Sequence, residues 1–205
     1  RVAWRLVVEP QRELDLRRET IRASIDEQGQ LTPALGARLD ACRTRTELED
    51  LYLPFRPKRR TRAGVAREKG LEPLADRLWA QETNPGATRA ALAAPYVSPE
   101  KSVPDIDAAW QGARDIVAET ISDHPDVRRG TRERAWRFGT LKAEKIAKAE
   151  DQRGVFETYY AFEVPVGRLR PYQTLAINRG EAEKVLRVGV AVPERDWRTA
   201  IGVAF

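Results

Sequence analysis

Apolar positions in the first half of the chain recur at helical spacing. Leu14, Ile21 and Ile25 stand seven and four residues apart between Gln11 and Gln28, with Arg and Glu around them, and Gly29 follows as a stop. Thr32-Pro33 supplies an N-cap and a pre-organised first helical position ahead of Leu35, Leu39 and Cys42. Thr46 with Glu49, or Thr44 with Glu47 two residues earlier, has the capping-box form ahead of Leu48, Leu51 and Tyr52, and Pro54 ends that helix. A further helical stretch runs to Lys69 and closes at Gly70. Pro73 then opens a helix with Leu74, Leu78 and Trp79 facing inward, broken at Asn84-Pro85-Gly86 and followed by a short helix over 87–94.

Pro95 to Pro104 holds three prolines and two serines and reads as a connection between two units. Beyond it, Ile106, Trp110, Ala113, Val117 and Ile121 give the most regular amphipathic helix of the chain. Past His124-Pro125 a basic helical segment carries Val127, Ala135 and Trp136 up to Gly139, and a second helical segment carries Leu141 and Ile146. Leu186, Val188, Val190 and Val192 alternate with other residues, as in a strand. The expected fold is mainly α: multi-helical, two helical units with a short β element near the C-terminus. The expected division is an N-terminal helical domain over 1–96 and a central helical region over 97–205.

Composition narrows the function classes. The 205 residues suffice for one large or two small domains, and 33% charged against 41% hydrophobic suits helices with heavily charged outer faces. Lys and Arg number 36 and Asp and Glu 31, so the net charge of +5 is mild and its placement matters more than its sum. One cysteine, Cys42, excludes an internal disulfide, and one histidine, His124, leaves no Cys/His cluster of zinc-ligand spacing. No apolar run approaches the roughly 20 residues that span a bilayer, and no secretory signal is evident, so the expected location is cytoplasmic with no membrane partner. Methionine is absent, at position 1 and elsewhere, and the chain reads as a piece of a longer product.

The chemistry search excludes more than it finds. No glycine-rich phosphate cradle occurs. His124, in Asp123-His124-Pro125-Asp126, reads as a surface turn residue, and Cys42 as a buried small hydrophobe. Glu47, Glu49 and Asp50 could in principle do acid/base work or bind magnesium, but first-turn acids that cap a helix and complement its dipole account for them. No catalytic residue, metal or cofactor is expected, and the protein is read as not an enzyme. Tyr159, Tyr160 and Phe162 are clustered aromatics, and Phe156, Tyr159 and Tyr160 with Val164 read as core or domain-contact packing.

Phe55-Arg56-Pro57-Lys58-Arg59-Arg60-Thr61-Arg62 stands above this background. Two prolines keep it extended, and its five cations suit ion pairing with phosphates, with Phe55 as an aromatic face for a base. Phe55, Arg56, Lys58, Arg59, Arg60 and Arg62 are therefore the candidate nucleic-acid contacts. The competing account is a solvated loop, or one docked on an acidic surface.

From Thr46 through Leu53-Pro54-Phe55-Arg56-Pro57-Lys58-Arg59-Arg60-Thr61-Arg62 and on through Lys69-Gly70-Leu71-Glu72-Pro73-Leu74-Ala75, the chain closely resembles the Tex family of bacterial transcription accessory proteins. The match also takes in residues 24–32, Val103-Pro104-Asp105-Ile106, Gly112-Ala113-Arg114-Asp115-Ile116 and residues 175–181. Arg1 to Pro10 departs from it, as does Arg170-Pro171-Tyr172-Gln173, where the family carries a Pro-Ser-His-Arg type of sequence. The resemblance implies a cytoplasmic, multidomain protein that binds nucleic acid and influences transcription, with RNA or single-stranded DNA as partner, weakly for this piece, and RNA polymerase or other transcription machinery as a further partner. The family plan continues into an RNase-H-like domain, helix-hairpin-helix elements and an OB-fold RNA-binding domain, none visible here. The alternative reading is a helical scaffold that holds other domains or a polymerase partner without contacting nucleic acid.

Overall fold

A computed structural model describes residues 2–57, 60–81 and 88–205. The chain divides into two compact units, Arg1–Pro125 and Asp126–Phe205. The described residues form ten α-helices and three strands, so the mainly α class with a β element near the C-terminus holds.

In the first unit, α1 (Val2–Glu27), α2 (Pro33–Ala41) and α3 (Arg45–Tyr52) share one core of Leu14, Ile21, Ile25, Leu39, Leu48 and Leu51. The sequence periodicity that predicted the first two helices is the periodicity that is buried. Helix α1 begins at Val2 rather than Gln11 and runs through Pro10. Thr32 Oγ1 accepts from the Leu35 amide at the start of α2. Of the two possible capping boxes the chain uses the earlier: Thr44 Oγ1 accepts from the Glu47 amide, and Glu47 Oε2 accepts from the Thr44 amide.

A second core joins α4 (Arg62–Glu68), α5 (Glu72–Trp79), α6 (Arg89–Ala93) and α7 (Ile106–Asp123) around Ala66, Leu71, Leu74, Ala113 and Ile116. Each fully buried leucine or isoleucine contributes about 1.5–3 kcal/mol by leaving water. Gly112 in α7 has no room for a side chain, since a Cβ there would run into the Leu71 side chain and stand 3.2 Å from Ala66 Cβ. Its bare backbone is what lets α4 and the start of α5 sit directly on α7. Trp79, expected to face inward, is 40% exposed. The break expected at Asn84-Pro85-Gly86 lies outside the described residues.

Residues 95–104 are not a linker. They form 3-10 turns at Ala94–Tyr96 and Pro99–Lys101, and Ser98 and Val103 exchange two backbone hydrogen bonds of 2.9 Å. Val103 enters the second core at 1% exposure. The prolines here shape turns, and the division of the chain falls at Pro125 instead of 96/97.

The second unit contains α8 (Pro125–Phe138), β1 (Thr140–Lys145), β2 (Ala161–Pro165), α9 (Pro171–Ala182), β3 (Leu186–Ala191) and α10 (Glu194–Ala204). Its strands make an antiparallel sheet in the order β2-β1-β3. The second helical segment expected around Leu141 and Ile146 is corrected to β1. Leu141 and Ala143 alternate with Lys142 and Glu144, a period of two that two flanking partners can pair on both edges. Ala143 is fully buried beneath Phe156, Tyr159, Ile177 and Leu186, while Lys142 Nζ reaches Glu163 Oε1 on β2 at 2.6 Å. Phe156 and Tyr159 are buried in this core and Tyr160 packs against it, as expected, and Phe162 packs there as well, while Val164 is half-buried on β2.

Gly180 in α9 allows the close approach of β3: a Cβ there would stand 2.6 Å from Leu186 Cδ1 and 3.0 Å from Phe156 Cδ1. A turn anchored by Asp151 seats Phe156. Its Oδ1 accepts from the Val155 amide at 3.0 Å, and its Oδ2 accepts from the Phe156 amide at 2.8 Å and the Tyr160 hydroxyl at 2.9 Å. Helix α10 lies against α8, where a Cβ on Gly130 would meet Ala200 Cβ at 3.3 Å and Arg134 reaches the buried Asp196.

Candidate nucleic-acid interface

The basic tract is built by three local devices. A 3-10 turn over Leu53–Phe55 ends α3, and the Arg56 amide closes it by donating to Tyr52 O and Leu53 O. Arg56 then turns extended, with φ −68° and ψ 130°, and its side chain is exposed. Lys58 and Arg59 lie outside the described residues. At the far end Arg60 is exposed, with Nη2 3.8 Å from Glu68 Oε2. Thr61 caps α4 by accepting from the Gly64 amide. Arg62 is the first residue of α4 and no part of an extended loop, yet its side chain is exposed.

Phe55 does not stand out as an open face. It is half-buried against the core of α1, α2 and α3, and its carbonyl accepts from Gln28 Nε2 at 3.1 Å. Around the C-terminal end of the tract, Arg60, Arg62 and Lys69 face Gln111 and Asp115 of α7 across a groove of about 550 Å³. Lys69, which the sequence pattern does not reveal as a member of this cluster, donates from Nζ to Ser102 O at 2.9 Å. Asp115 is the acidic member of this lining, and Gln111 Nε2 donates to its Oδ1 at 3.1 Å while Arg114 donates to Gln111 Oε1. The groove is thus lined by three cations and one carboxylate already engaged by an amide.

The groups set aside on chemical grounds have structural employment. Cys42 is buried, its Sγ donates to Arg38 O, and desolvation pushes the thiol above its ordinary pKa, the opposite of a reactive thiolate. His124 is the C-cap of α7, its amide donating to Ile121 O. Glu47 caps α3, Asp50 is buried, and Glu49 is held by Arg17. Among the described residues no group of three His, Cys, Asp or Glu side chains could hold a metal ion, and no helix is long and apolar enough to cross a membrane.

These features define a mainly helical protein whose described surface gathers cations around one groove. The family description "Tex central region-like" matches residues 84–202, more than half of the chain, and the chain belongs to the Tex family. "Protein tex" of Bordetella pertussis is 42% identical over 172 residues, covering 84% of this chain and 21% of that protein. "Transcriptional accessory protein Tex" of Neisseria gonorrhoeae is 36% identical over 179 residues, covering 87% and 23%. The human "S1 RNA-binding domain-containing protein 1" is 28% identical over 185 residues, covering 83% and 17%. The chain spans about a quarter or less of the length of these relatives, and the family is a transcription-related one.

Proposed function

We propose that this region is a nucleic-acid-contacting part of a transcription accessory protein, holding the phosphate backbone of RNA or single-stranded DNA through Arg56, Lys58, Arg59, Arg60 and Arg62. The observation that carries the reading is the exposure of Arg56, Arg60 and Arg62, the last two lining a groove with Lys69. Such cations position a backbone without reading bases, because each neutralised phosphate releases condensed counterion whatever the sequence. The names of the relatives, one for transcription and one for RNA binding, point the same way. Phe55 plays a supporting part at most, since one side of it is committed to the core.

The test is a titration of labelled RNA, single-stranded DNA and duplex DNA by the chain carrying Arg60→Ala and Arg62→Ala, at several salt concentrations. Affinity should fall about equally across sequences, and the log K against log salt line should flatten by about 0.7 to 0.9 for each phosphate no longer held. An unchanged slope in the folded double variant would favour the second reading, a helical scaffold that holds other domains or a polymerase partner. The half-buried Phe55 and the Arg60–Glu68 ion pair are the observations on that side. In either reading the region works without catalysing a reaction. Magnesium- or manganese-dependent degradation of labelled RNA or DNA by the pure chain, abolished by EDTA, would overturn that.

A further inference from the structure

A second basic segment lies outside the Arg56–Arg62 tract. Helix α8 places Arg128, Arg129, Arg132, Arg134 and Arg137 against Asp126 and Glu133, a net of +3 within Pro125–Phe138 where the whole chain carries +5. These charges are sorted by face. Val127 is buried, Gly130 abuts Ala200, and Arg134 turns to the buried Asp196, so that side is committed to α10 and the interior. Arg128, Arg132 and Trp136 follow at four-residue steps, each step advancing about 6 Å along the axis and staying on one stripe. All three are exposed, Trp136 by 70%, and Arg129 is exposed beside them with Nη2 3.0 Å from Asp126 Oδ1. Arginines alone fit a solvated helix face. Trp136 adds an exposed indole in line with the two guanidinium groups, the kind of aromatic face on which a base stacks.

We propose that the outer face of α8 is a second nucleic-acid contact, in which Arg128 and Arg132 hold backbone phosphates of a single strand and Trp136 stacks on one of its bases. Charge complementarity selects a polyanion, and the indole selects one with unstacked bases, since the bases of a duplex are already stacked on one another. Both RNA and single-stranded DNA present this chemistry. The contact is independent of the Arg56–Arg62 tract, which lies in the other unit, and stands or falls by itself.

The experiment is fluorescence anisotropy with labelled single-stranded RNA, single-stranded DNA and duplex DNA of equal length. The full 205-residue chain is used, as wild type, as Arg128→Gln with Arg132→Gln, as Trp136→Ala and as Trp136→Phe, each checked for native helicity by circular dichroism. The double arginine variant should weaken binding and flatten the salt slope by about 1.4 for single strands, at about 0.7 per phosphate. Trp136→Ala should weaken single-strand binding about tenfold with little change in slope, and Trp136→Phe should recover most of that affinity. Comparing the RNA and DNA arms identifies the strand. An unchanged affinity and slope in the folded arginine variant overturns the phosphate contact, even where the Arg60/Arg62 variant behaves as proposed. A silent Trp136→Ala, or a preference for the duplex, overturns the stacking assignment. Absence of wild-type binding at low salt overturns both contacts.

Discussion

Arg17 on α1 and Glu49 on α3 form a two-point ion pair, with Nε donating to Oε1 at 2.7 Å and Nη2 to Oε2 at 3.0 Å. The same guanidinium lies 5.6 Å from the centre of the Tyr52 ring. This pair ties the acidic face of α3 to the first helix.

The pair makes stability depend on acid. The hydrogen bond from Arg17, followed by its charge and that of Arg45, holds the Glu49 carboxyl below the usual carboxylate range, against desolvation acting upward. A lowered folded pKa means the contribution is fully present above the unfolded value of about 4.3 and is lost as pH falls through the folded one. Glu49→Gln should cost about 1 kcal/mol at pH 7 and lose less than the wild type on going from pH 5 to pH 3. Urea unfolding midpoints at the three pH values decide it, and parallel losses in both proteins would contradict it.

Two glycines should respond oppositely to alanine. At Gly180 the new Cβ meets the buried Leu186 and Phe156 side chains, and overpacking of about 1–3 kcal/mol outweighs the helix propensity gained. At Gly202 in α10 nothing lies within 4 Å of the added atom, so alanine should stabilise by up to about 1 kcal/mol. Thermal melts of Gly180→Ala and Gly202→Ala should move in opposite directions. A rise in both would mean that the α9–β3 contact yields freely.

Asp151 should matter for the same unit at neutral pH. The Phe156 amide first, then the Tyr160 hydroxyl and the Val155 amide, hold its carboxyl below the ordinary aspartate range. Asp151→Ala should lower the melting midpoint at pH 7, and the gap from wild type should close as pH falls through the native pKa, below the unfolded value of about 3.9. A gap that persists at pH 2 would assign the effect to something other than the carboxylate.

How far the sequence can be read depends on whether a signal is local. The faces of α1, α2 and α7 are legible because Leu14, Ile21, Ile25, Leu39, Trp110 and Ala113 carry the period themselves. The capping box of α3 is ambiguous in sequence, since Thr44 and Thr46 both have a glutamate three residues on. β1 is hidden because Lys142, Glu144 and Lys145 dominate it, and its strand character comes from partners far along the chain. The composition of 95–104 misleads for a related reason: prolines and serines mark turns as well as linkers, and the burial of Val103 is a tertiary fact. At the candidate interface, the cations are legible as a run. Lys69 and the groove wall from α7 are not, because folding brings them there from other elements.

The strand order carries a kinetic consequence. The central strand β1 comes first in the sequence, β2 can pair with it after closing residues 146–160, and β3 only after closing residues 146–185 with α9 in between. Each doubling of a flexible loop adds roughly 0.6 kcal/mol of closure entropy, and contacts distant in sequence slow folding. The β1–β2 hairpin is therefore the natural nucleus of this unit, and docking of β3 is its late step. Until that step one edge of β1 is an open template for another chain's strand, and docking of β3 covers that edge, leaving the outer edges of β2 and β3.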